Sequence, residues 1–227
     1  MMPKNTFSYL LREWLVLSEE NENFPSAHDI EAAIRFADID TKINLKYLMA
    51  TSQDDVVSLI NQKVDLIKSD LEKDARTYCG MTEDQLSSLF VAGFNRSGMD
   101  ADHDNSRSGH VDIVVKDRRF NFEWYAEAKI WGGAKYLEGG FDQLFTRYAS
   151  NNPNWNHGAM LVYYKNKRPS ITEALGTWKS ELPDNIETKQ CPLDGIGSFL
   201  STHIKPATNT PYHIRHTFVS LYYDPQK

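Results

Sequence analysis

Near residue 110 the spacing of apolar residues changes from the three-to-four-residue step of a helix to the two-residue step of a strand. A chain patterned this way has to lay helices against a sheet. Upstream of the change, Val56, Ile60, Val64, Ile67, Leu71, Ala75 and Tyr78 recur at steps of four and three and define one face of a long helix. Lysines and acids fill its other face. Such a stripe either covers core of its own chain or pairs with a second copy in a homodimer, and the pattern allows both. Shorter helices are expected over residues 7–17 and 27–36, with Pro25-Ser26 as a start signal. Residues 1–80 therefore read as a helical N-terminal region, open to a regulatory, partner-binding or dimerising role.

Cys79-Gly80 should close the long helix, with the glycine just past its last turn. Thr82 then opens another through a Thr-x-x-Gln arrangement, and Leu86, Leu89, Phe90 and Phe94 form its apolar face. Strands are expected over 111–116 and 120–130, joined by the charged turn Lys116-Asp117-Arg118-Arg119. Gly132-Gly133 breaks the second, a helix follows over 134–150, and GAMLVYY at 158–164 has the continuous apolar character of a buried central strand. A helix over 171–180 and a strand over 216–223 complete an α/β pattern, a central mixed sheet flanked by helices across residues 81–227.

The net charge of −6 argues against a generally basic nucleic-acid binder. The acidity is uneven, however: residues 1–80 hold 9 Lys/Arg against 14 Asp/Glu, and the remainder 16 against 17. Lys116, Arg118, Arg119, Lys135, Arg147, Lys165, Lys167 and Arg168 crowd the stretch around the hairpin, where a phosphate backbone would need them. Cys79 and Cys191 have no Cys/His spacing of a zinc site and no disulfide framework, and both read as free thiols. No stretch approaches the roughly 20 apolar residues that span a bilayer. The N-terminus, with Arg12 and Glu13 inside its apolar segment, suits an amphipathic helix better than a signal peptide, so a cytoplasmic protein is expected.

The chemistry concentrates in the hairpin. Side chains alternate faces along a strand, so Glu127 and Lys129 share a face and Asp112 on the paired strand can join them. Magnesium or manganese prefers hard oxygen ligands. Asp112 and Glu127 would supply two, the main-chain carbonyl of Ala128 a third, and Lys129 would hold or deprotonate an attacking water or offset charge on phosphoryl oxygens. The plainer alternative is a solvated polar face with Glu127 and Lys129 as an ordinary ion pair. Against it stands the setting of all three inside apolar and aromatic runs, VDIVV and FNFEWYAEAKIW. His203, His213 and His216 have no accompanying metal-site spacing and read as structural.

Over residues 81–168 the chain resembles the PD-(D/E)XK nucleases, the restriction-endonuclease-like superfamily, in TEDQLSSLF, GHVDIVV, AEAKIW and GGFDQLFTRY. His110-Val111 stands where a proline precedes the aspartate in the family's name. The resemblance implies a restriction-endonuclease-like core and a Mg2+- or Mn2+-dependent DNA endonuclease, with Asp112, Glu127 and Lys129 as metal and catalytic residues and Gln143 as an auxiliary one. It also implies an acid on the preceding helix: Glu83, three residues before Leu86 and seven before Phe90, begins the inward-packing face and is the expected metal residue, with Asp84 as its competitor and a carboxylate that merely favours the helix dipole as the plainer reading. A restriction or antiphage-defence role fits such nucleases. The alternative is a nucleic-acid-binding or assembly module that keeps the fold without cleavage.

Overall fold

The computed structural model describes residues 34–104, 111–144, 152–183, 187–190, 197–206 and 208–224. The expected helix over 7–17, most of that over 27–36, the end of that over 134–150, His110, Arg147 and Cys191 lie outside them.

Helix α1, Ile39–Met49, begins at Asp38, whose side chain accepts the Thr41 N–H at 2.7 Å. Helix α2, Gln53–Lys73, begins at a reciprocal cap: Ser52 Oγ accepts from the Asp55 N–H, and the Asp55 carboxylate accepts from the Ser52 N–H. The stripe read from the sequence continues to Tyr78, but Asp74 leaves helical backbone at φ −122°, ψ 45°, and Ala75–Tyr78 forms a separate turn, α3, with no fully buried residue. Gly80 does not adopt the left-handed backbone expected of a capping glycine; among the described glycines Gly98, Gly133 and Gly197 do. Helix α4, Glu83–Arg96, starts at Thr82 with the expected reciprocal bonds to Gln85.

Seven strands follow: β1 Asp100–Asp104, β2 Val111–Asp117, β3 Phe122–Ile130, β4 His157–Tyr164, β5 Glu187–Gln190, β6 Ser198–Ile204 and β7 Pro211–Ser220. Helix α5, Ala134–Gln143, joins β3 to β4, and α6, Ile171–Glu181, follows β4. The sheet order is β1-β2-β3-β4-β7-β6-β5, with β3, β4 and β7 mutually parallel and the remaining pairs antiparallel. The sheet is thus mixed and flanked by helices. The last strand starts five residues earlier than the apolar pattern suggests, because its alternating half, Pro211–Arg215, pairs with β6.

Helices α2 and α4 cover one face. Val56, Ile60, Val64 and Leu71 from α2 meet Leu86, Phe90 and Phe94 from α4 over Ile113, Trp124, Ala159 and Leu161 of the sheet. Each fully buried aliphatic side chain in that layer contributes roughly 1.5–3 kcal/mol. The α2 stripe is therefore intramolecular core, and the described part of the N-terminal region is one layer of the same body as the sheet. Arg215 of β7 fastens the layer by donating to the Asn61 carbonyl at 2.9 Å and pairing with Asp65. Helices α5 and α6 cover the other face, with Leu137, Ala174 and Trp178 against Val162, Phe199 and Phe218. Beneath them a buried chain of polar groups has a set direction: Trp178 Nε1 donates to His216 Nδ1 at 2.9 Å, and Ser201 Oγ lies 2.8 Å from His216 Nε2 and 2.7 Å from His203 Nε2. Indole can only donate, so His216 carries its proton on Nε2 and gives it to Ser201, whose hydroxyl serves His203.

Candidate active site

β2 and β3 pair in register from Asp117 opposite Phe122 to Ile113 opposite Ala126, and there the ladder stops. The next step would set Asp112 against Glu127. Instead the Asp112 side chain takes over the role of the missing backbone partner, its Oδ2 accepting the Ala128 N–H at 2.7 Å. His103 of β1 steadies the same residue from behind, its Nδ1 2.5 Å from the Asp112 carbonyl.

In the opening between the strands the acids meet the lysine. Lys129 Nζ lies 2.8 Å from Glu127 Oε1, 3.6 Å from Glu83 Oε2 and 3.7 Å from Asp112 Oδ2. It also lies 3.1 Å from the Ala128 carbonyl. Glu83 occupies the first turn of α4, close to Lys129 at the end of β3, whereas Asp84 is exposed. Tyr136 Oη stands 3.5 Å from Glu83 Oε1 at the mouth, and its side chain is 53 % exposed.

Helix α5 roofs the cluster through Gly140. A Cβ there would sit 3.1 Å from Lys129 Cγ and 3.2 Å from Glu127 Cγ, so hydrogen is what lets the helix approach. Gln143 follows three residues later on the same helical face. It is half-buried, and no hydrogen bond joins it to the acids or to Lys129 among the described residues. The structure thus brings together Asp112, Glu127, Ala128, Lys129 and Glu83, and leaves Gln143 adjacent but unbonded.

The charges do not balance. Three carboxylates face one ammonium, and Glu127 is 1 % exposed. Burial first, then the charge of Asp112, push the Glu127 carboxyl up to about 7, despite the hydrogen bond from Lys129. Burial opposes the charged form of Lys129 as well, but the hydrogen bond to Glu127 and the charges of all three acids override it and hold the ammonium well above the ordinary lysine range. Glu127 Oε2 is buried without a hydrogen-bond partner. A buried carboxylate oxygen lacking a donor fits a cation-binding role, and the oxygen-only donor set suits magnesium or manganese rather than a softer metal. As the side chains stand, no three His, Cys, Asp or Glu residues among those described are arranged to hold a metal ion, because the Lys129 ammonium lies between the acids.

The basic residues expected around the site are dispersed. Lys116, Arg118 and Arg119 lie at the turn end of the hairpin, whereas Asp112 and Lys129 lie at its open end, roughly 13–20 Å away at 3.3 Å per residue. Arg119 is committed to structure, pairing with Asp117 at 2.6 Å and donating to the Tyr47 carbonyl at 3.0 Å. Lys165 stays near the cluster, with its Nζ on the Met81 carbonyl just before α4. Lys167 pairs with Asp224 at 2.9 Å. Tyr136 and Gly140 did not figure among the expected site residues; a glycine pair inside an otherwise amphipathic helix was the one available signal, since it weakens a helix unless a close approach requires it.

No protein-family model matches the chain, and neither any curated protein nor any solved structure does. No helix among the described residues is long and apolar enough to cross a membrane.

Proposed function

We propose that the chain is a magnesium- or manganese-dependent nuclease with a restriction-endonuclease-like core, hydrolysing phosphodiester bonds in DNA. The observation that supports this reading is the convergence of Glu83, Asp112 and Glu127 on Lys129 where β2 and β3 part. With all three acids ionised, three negative charges against one positive leave the cluster two charges short of neutrality, which is what one divalent cation offsets. The three carboxylates and the Ala128 carbonyl would hold it. Bound there, the ion supplies charge neutralisation at the phosphate and a more acidic water. Asp112 does two things at once, since its Oδ2 is pinned by the Ala128 N–H and its other oxygen is left to the site. Lys129 acts as a fixed cation and hydrogen-bond donor, toward the attacking water or a non-bridging phosphoryl oxygen, and offsets the charge that builds up in the transition state. Its tightly held proton disfavours a role as base. Gln143 and Tyr136 flank the opening, where they can contact the nucleotide on either side of the scissile bond.

Incubation of the purified protein with supercoiled plasmid tests the reading. Nicking is expected with magnesium and not with a chelator, and Lys129→Ala and Asp112→Asn should each reduce it by about 100-fold or more. Undiminished nicking by Lys129→Ala refutes the assignment. The position of the ammonium between the acids favours a second reading, a nucleic-acid-binding or assembly module without cleavage. DNA binding by wild type with no nicking in either metal would select it.

A further inference from the structure

On the face of the sheet opposite the acid cluster lies a cavity of about 490 Å³ between the first half of α2 and strands β4 to β7. Asp54, Ser58 and Asn61 line it from the helix, and His157, His213, Thr202, Glu187 and Lys189 from the strands. His157 and His213 are register partners on the parallel pair β4 and β7, so their rings project side by side, with centroids 4.9 Å apart. Neither belongs to the buried Trp178–His216–Ser201–His203 chain, which lies across the sheet.

Each imidazole is oriented from behind through Nδ1. His157 Nδ1 lies 2.8 Å from Asn156 Oδ1, which also accepts from Gln53 Nε2 at 2.6 Å. An amide oxygen can only accept, so His157 carries its proton on Nδ1 and presents a bare Nε2 lone pair. His213 Nδ1 lies 3.1 Å from Thr202 Oγ1. Neither Nε2 has a hydrogen-bond partner among the described residues. Metal-binding histidines characteristically donate the other ring N–H to a protein oxygen in this way, which fixes both tautomer and ring plane.

We propose that this cavity is a second metal site, chemically distinct from the acid cluster, which takes a borderline-soft divalent ion such as Zn2+ through Nε2 of His157 and His213. Two imidazoles whose rings stand this close can share one ion at the usual 2.0–2.1 Å from each nitrogen. No third His, Cys, Asp or Glu among the described residues completes a ready cage, so water fills the remaining positions, held by the carboxylates on the wall. Charge favours a cation: Glu187 and Lys189 neutralise each other at 2.6 Å, and Asp54 has no ion pair among the described residues. Burial, and then the neighbouring His213, push His157 down to about 4, and burial lowers His213 as well. An ion here would tie the start of α2, through Asp54, to the β4–β7 pair. The inference does not depend on nuclease activity.

Titration of the full chain with Co2+ as a spectroscopic probe, then Zn2+, in saturating magnesium, tests it. One equivalent should bind, with visible absorption from nitrogen ligation, and His157→Ala and His213→Ala should each weaken it by about tenfold or more. Thr202→Val, which removes only the oxygen behind His213, should weaken it less and leave the thermal transition in place. Asp112→Asn should leave it unchanged, which separates this site from the acid cluster. The absence of stoichiometric binding, or binding of equal strength in both folded histidine variants, overturns the proposal.

Discussion

Replacing Glu127 with glutamine should stabilise the folded chain and abolish its activity, with the stabilisation growing as pH rises. The wild-type carboxyl sits at about 7 in the fold against an ordinary 4.5. Between those values the folded chain holds a proton that the unfolded chain has released, so wild-type stability declines as pH rises through 7. That interval, at about 1.4 kcal/mol per pH unit, sets an upper size of about 3 kcal/mol for the loss. Glutamine preserves the volume and removes the titration, while Lys129 keeps Glu83 at 3.6 Å and Asp112 at 3.7 Å as counter-charges. Urea unfolding of both proteins in chelator at pH 5.5 and pH 8.5 isolates the effect. The advantage of the variant should widen by about 2 kcal/mol between the two pH values. Added magnesium at pH 8.5 should then stabilise the wild type in proportion to the logarithm of its concentration, and the variant much less. An advantage that is the same at both pH values, or a variant less stable than wild type at pH 8.5, would show that the acid cluster does not carry the excess charge argued for it.

Gly140→Ala gains roughly 0.5–1 kcal/mol of helix propensity but forces Lys129 and Glu127 aside by a few tenths of an ångström. Its melting temperature should stay within a few degrees of wild type while plasmid nicking falls about tenfold or more, and full activity would refute the close packing of α5 on the site. The buried histidines should destabilise the chain on acidification. Burial pushes His203 to about 4 and holds His216 well below its ordinary range, so their contribution is complete above about 6.5 and is lost as pH falls toward the folded values. Measured in the Glu127→Gln background, where the opposing titration is gone, stability should fall between pH 7 and pH 5, and a flat profile refutes the assignment. Arg215→Met removes the cation that joins β7 to α2 and should cost about 3 kcal/mol in urea unfolding, with part recovered by Asp65→Asn; additive effects of the two changes would rule out the coupling.

The hairpin was legible because its signal is local. Two-residue alternation places Glu127 and Lys129 on one face whatever packs around them, and the cap at Thr82 involves residues three apart. Glu83 was legible only in part: its spacing to Leu86 and Phe90 puts it at the start of the inward face of α4, but its distance from Lys129 depends on the angle at which α4 meets the end of β3. Gln143 shares a face with Gly140, yet only the docking of α5 decides which residues on that face touch the acids. Strands β1 and β5, DADHD and ETKQ, are edge strands whose polar composition hides them from an apolar pattern. The basic residues of the hairpin turn were assigned to the site because they are close to it in sequence; the strands carry them to the other end.

The layer formed by α2 bears on how this protein can be divided. A chain beginning at Met81 would retain every residue of the acid cluster, yet it would lose the α2 side chains that share one core with Ala159, Leu161 and Val219, and would take Asn61 and Asp65 away from Arg215. The contact between Asp65 and Arg215 spans 150 positions of sequence, so the first strong helix and the last strand wait for each other during synthesis. Domain-exchange experiments that treat the front third as a detachable accessory should therefore yield insoluble or aggregating back halves, and chimaeras should succeed only when α2 and β7 are inherited together.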